Sequence, residues 1–273
     1  MKDRQTRNVN KWIETCIVAL LLWGACGWAF SPYENYLLSG RTTHVALIAQ
    51  VKPGQEKALA NALLELTLKK PARQLEHAGI TNVSAFTREL QGDLWCMVYF
   101  DFSGKKNYLD AAEAFESAAP TLNGFLIPHP RAVTYGRTWL QMEWINYIRG
   151  CSAKRKPTDI TAMVTGIKPE KEMEYRTLHQ TVWPGVVDQM VRGHIRNFSI
   201  FLAEIGDQLY EFFYLEYMGQ DAEKDDYMNR QDPVNQRWWK HTDPCQQPLP
   251  GSTDIWSPMN PVLPKPAEKG ENK

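Results

Sequence analysis

The sequence predicts an α+β fold of two tandem ferredoxin-like units that pair within one chain as a pseudo-dimer, preceded by an N-terminal transmembrane helix. Three observations support this prediction. The chain has 273 residues, 43% hydrophobic and 23% charged, which is enough for one large or two small cores. It contains an internal repeat, and it has one long apolar segment near its N-terminus. The elements are justified below in chain order.

The first element is the apolar segment over 12–30, in which Glu14 is the one charged residue. A helix of this length just crosses a bilayer. Basic residues dominate before the segment, so the positive-inside rule places the N-terminus in the cytoplasm and the remainder outside it. A cleaved signal peptide, or a lipoprotein signal cut before Cys26, is the alternative, but a cleaved signal has a shorter apolar core. We therefore expect residues 1–40 to anchor the chain to a membrane, with the folded units extracytoplasmic, in the periplasm or at the cell surface.

The internal repeat aligns the segment Ile80–Phe102 with the segment Ile195–Tyr217. Identical residues stand at Asn82 and Asn197, Ser84 and Ser199, Phe86 and Phe201, Glu89 and Glu204, and Tyr99 and Tyr214. Chance rarely aligns so many positions. The repeat therefore indicates two structurally related units in one chain.

Each unit has the order strand, helix, strand, Gly-Asp turn, strand, helix. The segments 46–59 and 161–175 both place a Lys-Pro turn between a short apolar strand and a helix. With a final strand this is the split βαβ pattern of ferredoxin-like domains, whose helices cover one face of the sheet. We expect the units to span 41–150 and 151–260 and to cover each other's open sheet face, with a disordered tail over 261–273.

Charge and motif content exclude several classes of function. The chain carries 31 basic and 31 acidic residues, so it offers no phosphate-neutralising surface and we predict no nucleic-acid partner. No CxxC, HxxxH or HExxH spacing and no Gly-rich phosphate loop occurs. We therefore predict neither a metal site nor a cofactor.

Unusual polar residues are concentrated in the second unit. Tyr175, His179 and Trp183 follow at spacings of four, which places them along one face of a helix. On spacing alone, a buried core histidine between two aromatic residues is the simpler interpretation. However, Leu59 and Leu63 occupy the corresponding positions of the first unit. Packing therefore does not require the polar pair, which makes it a candidate site.

A second cluster lies in the segment 231–251, which contains the adjacent residues Trp238 and Trp239. Neighbouring side chains of a strand point to opposite faces, so both indoles cannot enter one core from a regular strand. We therefore expect at least one of them to border a groove; the other interpretation places the second indole under the Pro-rich loop.

Four segments, at 175–187, 195–202, 235–246 and 256–259, together resemble the L-rhamnose mutarotase family in order and spacing. The resemblance covers about residues 160–260. It implies a dimeric α/β-barrel-type sugar epimase that interconverts the α and β anomers of L-rhamnose or a similar deoxy monosaccharide without metal or redox cofactor. It also implies that Tyr175, Trp238 and Trp239 line the sugar pocket, with His179 as the catalytic proton donor. A further pocket tyrosine of the family falls at Phe198, which lacks the hydroxyl.

Mutarotation needs two proton carriers, one for the ring oxygen and one for the anomeric hydroxyl. Imidazole, with an unperturbed pKa of about 6.5, exchanges its proton near neutrality, which makes His179 the candidate acid. Asp243, before a proline, is a weaker candidate for binding sugar hydroxyls, since such residues commonly form turns. Two alternatives stay open: a non-catalytic, membrane-tethered sugar-binding or sensory module, and an unrelated monooxygenase-like barrel. The resemblance also admits a homodimer of whole chains.

Overall fold

The structure is a computed structural model that describes residues 42–103, 108–151 and 155–263. Within these ranges no helix is both long and apolar enough to cross a membrane. This finding corrects the predicted transmembrane helix and, with it, the predicted membrane anchoring and extracytoplasmic location. The segment 12–30, on which those predictions were based, lies outside the described residues.

The first unit contains the predicted succession of strands and helices. In chain order its elements are β1 (Thr43–Val51), α1 (Glu56–Glu65), α2 (Lys69–His77), β2 (Ile80–Leu90), β3 (Asp93–Phe102), α3 (Ala111–Ala118), β4 (Leu126–Ile127), α4 (Pro130–Val133), β5 (Leu140–Gln141) and β6 (Glu143–Gly150). The strand order β2-β3-β1-β4, with every pair antiparallel, is that of a ferredoxin-like sheet.

The second unit repeats this arrangement. Its elements are β7 (Asp159–Ile167), α5 (Glu172–Gln180), α6 (Pro184–Arg192), β8 (Ile195–Ile205), β9 (Gln208–Tyr217), α7 (Ala222–Gln231), α8 (Pro233–Thr242), β10 (Gln246–Gln247), β11 (Ser257–Pro258) and β12 (Asn260–Pro261). The strand order β8-β9-β7-β10 matches that of the first unit. The prediction of two tandem ferredoxin-like units is therefore confirmed.

Each unit gives one strand to the sheet of the other. Strand β6 is the last element of the first unit but pairs with β8 of the second. Strand β12 is the last element of the second unit but pairs with β2 of the first. An added strand covers the row of unpaired backbone groups at a sheet edge. The exchange therefore crosses the predicted boundary at residue 150, although the unit bounds themselves remain a prediction.

The two sheets pack face to face through a shared apolar core. Alternation along β3 and β9 sends Tyr99 and Tyr214 to this interface, where their rings stack with centroids 3.4 Å apart. The helix-facing side of the first sheet has a second, filled core that includes Leu59 and Leu63 of α1. The corresponding apolar cluster of the second unit is small. The second unit is therefore the one with room between its sheet and its helices.

The repeated asparagines occupy a backbone irregularity that the repeat preserves. Asn82 and Asn197 have φ values of 54° and 53°, and each lies where the register of its strand shifts. Asparagine tolerates this left-handed conformation better than most residues. Both side-chain amides donate to the same buried carboxylate oxygen of Glu216, at 2.7 and 3.0 Å. The two bulges thus join the sheets at one point.

Candidate functional site

A cavity of about 760 Å³ lies between the second sheet and the helices that cover it. Its floor comes from the helix-facing residues of β7, β8 and β9, and its other walls come from β6, α5, α6, α7, α8 and the segment 253–256. Tyr175 and His179 stand in its wall where the first unit has Leu59 and Leu63, which are buried in the apolar core of that unit. The difference between the two units is therefore an apolar core in one and a cavity in the other.

Helix α5 positions the predicted Tyr175–His179 pair. The two residues are one turn apart, and their ring centroids lie 4.2 Å from each other. The helix ends at Gln180, and Pro184 begins α6 with Trp183 as its N-cap residue. Trp183 therefore does not share a helix face with Tyr175 and His179, which corrects that part of the prediction.

The protonation state of His179 follows from its contacts. Its Nδ1 lies 3.0 Å from the carbonyl oxygen of Tyr175, and a carbonyl can only accept, so Nδ1 carries the proton. Burial lowers the pKa of His179 to about 4. The imidazole is therefore neutral near neutral pH, and Nε2 holds the free lone pair. Such a group takes up a proton before it donates one, whereas the sequence prediction makes it the donor.

Glu211, on β9, is a component of the site that the sequence analysis did not identify. Its side chain is fully buried and lies in the cavity wall. The hydroxyl of Tyr175 donates to Oε1, and the amide of Gln246 donates to Oε2 at 2.9 Å. Burial raises the pKa of Glu211 to about 8. An acidic residue at a strand position flanked by apolar neighbours is the sequence signal that could have identified it.

The two tryptophans lie on helix α8, not on a strand. Trp238 is buried, and its ring contacts those of His179 and Trp183 edge to face, each at a centroid distance of 5.4 Å. Trp239 is half-buried and also lines the cavity. Residues adjacent in a helix are about 100° apart, so both indoles reach one cavity, which two neighbours on a strand could not do.

Phe198 lies on the floor of the cavity, as a side chain of β8. Its ring packs against Phe213 at 5.5 Å, and Phe213 in turn contacts Trp256 at 4.7 Å. This part of the cavity wall is therefore apolar and aromatic. Asp243 also lines the cavity, and burial raises its pKa.

The exchanged strand β6 contributes Asn146 to the site. Its amide nitrogen donates to the carbonyl oxygen of His179 at 2.8 Å, which fixes the orientation of the amide. The Oδ1 atom of Asn146 is buried and has no hydrogen-bond partner in the described part of the chain. The same holds for Oδ1 of Asn235, on α8. Both residues line the cavity.

The arrangement suits proton transfer to and from a polyhydroxylated molecule. A neutral imidazole, a phenol hydrogen-bonded to a buried carboxyl group, and aromatic walls surround one space. Across residues 42–103, 108–151 and 155–263, no group of three or more His, Cys, Asp and Glu side chains is placed to hold a metal ion.

Comparisons with known proteins find relatives of the second unit. The family model for L-rhamnose mutarotase matches residues 161–263. The L-rhamnose mutarotase of Oceanobacillus iheyensis is 32% identical over 93 residues, which are 33% of this chain and 85% of that protein. The L-rhamnose mutarotase of Pectobacterium atrosepticum is 27% identical over 102 residues, 37% of this chain and 93% of that protein. A solved anthrone oxidase-like protein aligns with 87% of this chain and 95% of its own, with 10% sequence identity and a TM-score of 0.42. Through its second unit, the chain belongs to the L-rhamnose mutarotase family.

Proposed function

We propose that the protein is a carbohydrate mutarotase, an isomerase that interconverts the α and β anomers of L-rhamnose or a similar deoxy monosaccharide. The observation that carries this proposal is the state of His179. Its imidazole is neutral, its Nδ1 proton is held by the Tyr175 carbonyl, and it stands in the wall of a cavity beside a phenol and an indole. A single proton-accepting group in such surroundings suits catalysis at an acetal-like carbon.

The reaction opens and recloses the sugar ring. Nε2 of His179 takes the proton of the anomeric hydroxyl while a second proton carrier of the site protonates the ring oxygen, and the bond between the ring oxygen and the anomeric carbon breaks. The resulting aldehyde rotates about the bond to its neighbouring carbon. In the reverse step the hydroxyl attacks the other face of the carbonyl and loses its proton, and His179 returns a proton to the carbonyl oxygen. His179 therefore acts first as base and then as acid, and no net proton is consumed.

Sugar binding is assigned to the remaining predicted residues. The faces of Trp238 and Trp239 and the ring of Phe198 offer apolar surface to the C–H groups of a deoxy sugar. Asn146 and Asn235 add polar amide groups to the cavity wall. Because Asn146 comes from β6, the first unit completes the sugar site while its own core stays filled.

The test is anomer exchange of L-rhamnose measured by NMR exchange spectroscopy with the full chain. We expect the wild type to accelerate exchange and His179→Gln to lower the rate about 10²- to 10⁴-fold, the usual contribution of general acid–base catalysis. His77→Gln is the matched control, because His77 is exposed on α2 of the first unit. Saturable binding of L-rhamnose without faster exchange would instead select the sugar-binding module and refute the enzymatic proposal.

A further inference from the structure

Glu211 is a buried carboxyl group without a cationic partner. Its side chain is fully inaccessible to solvent, and no Lys, Arg or His side chain in the described ranges forms an ion pair with it. Its two hydrogen-bond donors, the hydroxyl of Tyr175 and the amide of Gln246, are both neutral. Burying an ionised carboxylate in such surroundings is costly, so the group binds a proton more tightly than an exposed carboxyl does.

The fold does not require a carboxyl group at this position. The internal repeat aligns Glu211 with Cys96 of β3, which is equally buried and belongs to the filled core of the first unit. A small, weakly polar side chain is therefore sufficient at the same place in the same sheet. What differs in the second unit is the cavity and the presence of Tyr175 above the strand. The carboxyl group is thus associated with the site and not with the scaffold.

The hydrogen bonds place Glu211 behind Tyr175. When the carboxyl group is ionised, the phenol donates to Oε1 and its proton is directed away from the cavity. When the carboxyl group is protonated, it can donate to the phenol oxygen, and the phenol is then free to donate towards the cavity. The protonation state of Glu211 therefore sets the direction in which the Tyr175 hydroxyl points.

We propose that Glu211 is a positioning residue that supplies, through the Tyr175 hydroxyl, the proton that the sugar ring oxygen gains when the ring opens. The inference rests on the proposed function and adds the second proton carrier to it. Tyr175 is the group that contacts the sugar, and Glu211 acts through it.

The step balances in atoms and charge. On opening, Tyr175 gives its proton to the ring oxygen and takes one from Glu211, while the anomeric hydroxyl gives its proton to Nε2 of His179. The open sugar is then flanked by a carboxylate and an imidazolium, which attract each other across the site. On reclosure the sugar hydroxyl returns its proton through Tyr175 to Glu211, and His179 protonates the carbonyl oxygen. Both residues end in their starting states.

The resting states agree with these roles. The pKa of Glu211, raised to about 8 by burial, keeps the carboxyl group largely protonated near neutrality, while the lowered pKa of His179 keeps the imidazole neutral. The other ionisable groups around Glu211 are Tyr175 on α5 and Cys245 beside β10, and burial raises the pKa of both. All four groups are thus uncharged at rest, and charge develops only with the sugar in place.

The test is the pH dependence of anomer exchange by Glu211→Gln, which keeps the size of the side chain but cannot release a proton. We expect kcat to fall about 10²-fold with KM unchanged, at the lower end of general acid–base contributions. In the wild type we expect kcat to fall above about pH 8, where Glu211 loses its proton, and this decline should be absent from the variant. Glu65→Gln, at an exposed position of α1, is the matched control.

A second variant acts on the same group without replacing it. Gln246→Ala removes one donor to the carboxylate, so the alkaline decline should move to higher pH. An unchanged kcat in Glu211→Gln, or a lower kcat that keeps the alkaline decline, would overturn the proposal, and so would an unshifted decline in Gln246→Ala. If the wild type itself does not accelerate exchange, the proposed function fails and the inference fails with it.

Discussion

The buried carboxyl group of Glu211 should make the stability of the protein depend on pH in a way that Glu211→Gln removes. The unfolded chain releases this proton near the ordinary pKa of 4.5, whereas the folded protein holds it up to about pH 8. Between these values the folded state binds more protons at Glu211, so the contribution of this group to stability is greatest below pH 4.5, declines as pH rises, and levels off above about pH 8.

The magnitude follows from the size of the shift. Each pKa unit corresponds to about 1.4 kcal/mol, so a change from 4.5 to about 8 costs on the order of 5 kcal/mol of unfolding free energy at high pH. His179 acts in a different window: its lowered pKa makes stability fall as pH drops from about 6.5 to about 4. That contribution is common to the wild type and the variant and cancels in their difference.

The assay is urea unfolding followed by circular dichroism at pH 5 and pH 9 at fixed ionic strength. We expect the wild type to lose several kcal/mol more than Glu211→Gln between these two pH values, with Glu65→Gln behaving like the wild type. Equal pH dependence in the wild type and Glu211→Gln would refute the reasoning, because it would mean that the carboxyl group titrates normally in the folded protein.

Two further predictions concern the packing of the site and the repeated bulge. Trp238→Ala should lower the unfolding free energy by about 3–5 kcal/mol, because the indole is buried between His179 and Trp183. Urea unfolding measures this loss, and a value below about 1 kcal/mol would contradict the prediction. Asn197→Ala should lower the unfolding free energy by about 1–2 kcal/mol because of the positive φ at this position, and further because the hydrogen bond to Glu216 is lost. Asn197→Gly also loses the hydrogen bond but tolerates the positive φ, so its loss should be smaller. Thermal unfolding measures both variants, and a larger loss for Asn197→Gly would contradict the strain argument.

The two units could be predicted from the sequence because several of the repeated residues are identical for structural reasons. Asn82 and Asn197 are identical for a physical reason: both occupy a left-handed bulge position and bind the same carboxylate. Tyr99 and Tyr214 are identical because they stack on each other between the sheets. Residues of the two units that meet between the sheets thus leave a visible match in the sequence.

The exchange of strands could not be predicted in the same way. β12 pairs through only two residues, and its partner on β2 is distant in the chain: Asn260 pairs with Thr87, 173 positions earlier. Short pairings of this kind have no periodicity that a sequence pattern could reveal. The contribution of Asn146 to the candidate site depends on the exchange of β6, and a sequence pattern does not reveal it for that reason.

The candidate site was predicted in composition but not in geometry. Tyr175, His179, Trp238, Trp239 and Phe198 all line one cavity, although their roles in catalysis and binding remain a prediction. The argument from strand alternation does not apply to the tryptophans, because Asp232 caps a helix there, which local spacing alone does not reveal. Glu211 was overlooked because its meaning depends on burial and on the partner above it, neither of which is visible in a single strand.

The central claim is that this site moves protons on a sugar. The most direct measurement is the rate of exchange between the α and β anomers of L-rhamnose, followed by NMR with catalytic amounts of the full chain. The account predicts exchange faster than in buffer alone, and a rate that drops when His179 is replaced by Gln. An exchange rate equal to that in buffer, at protein concentrations that bind the sugar, would contradict it.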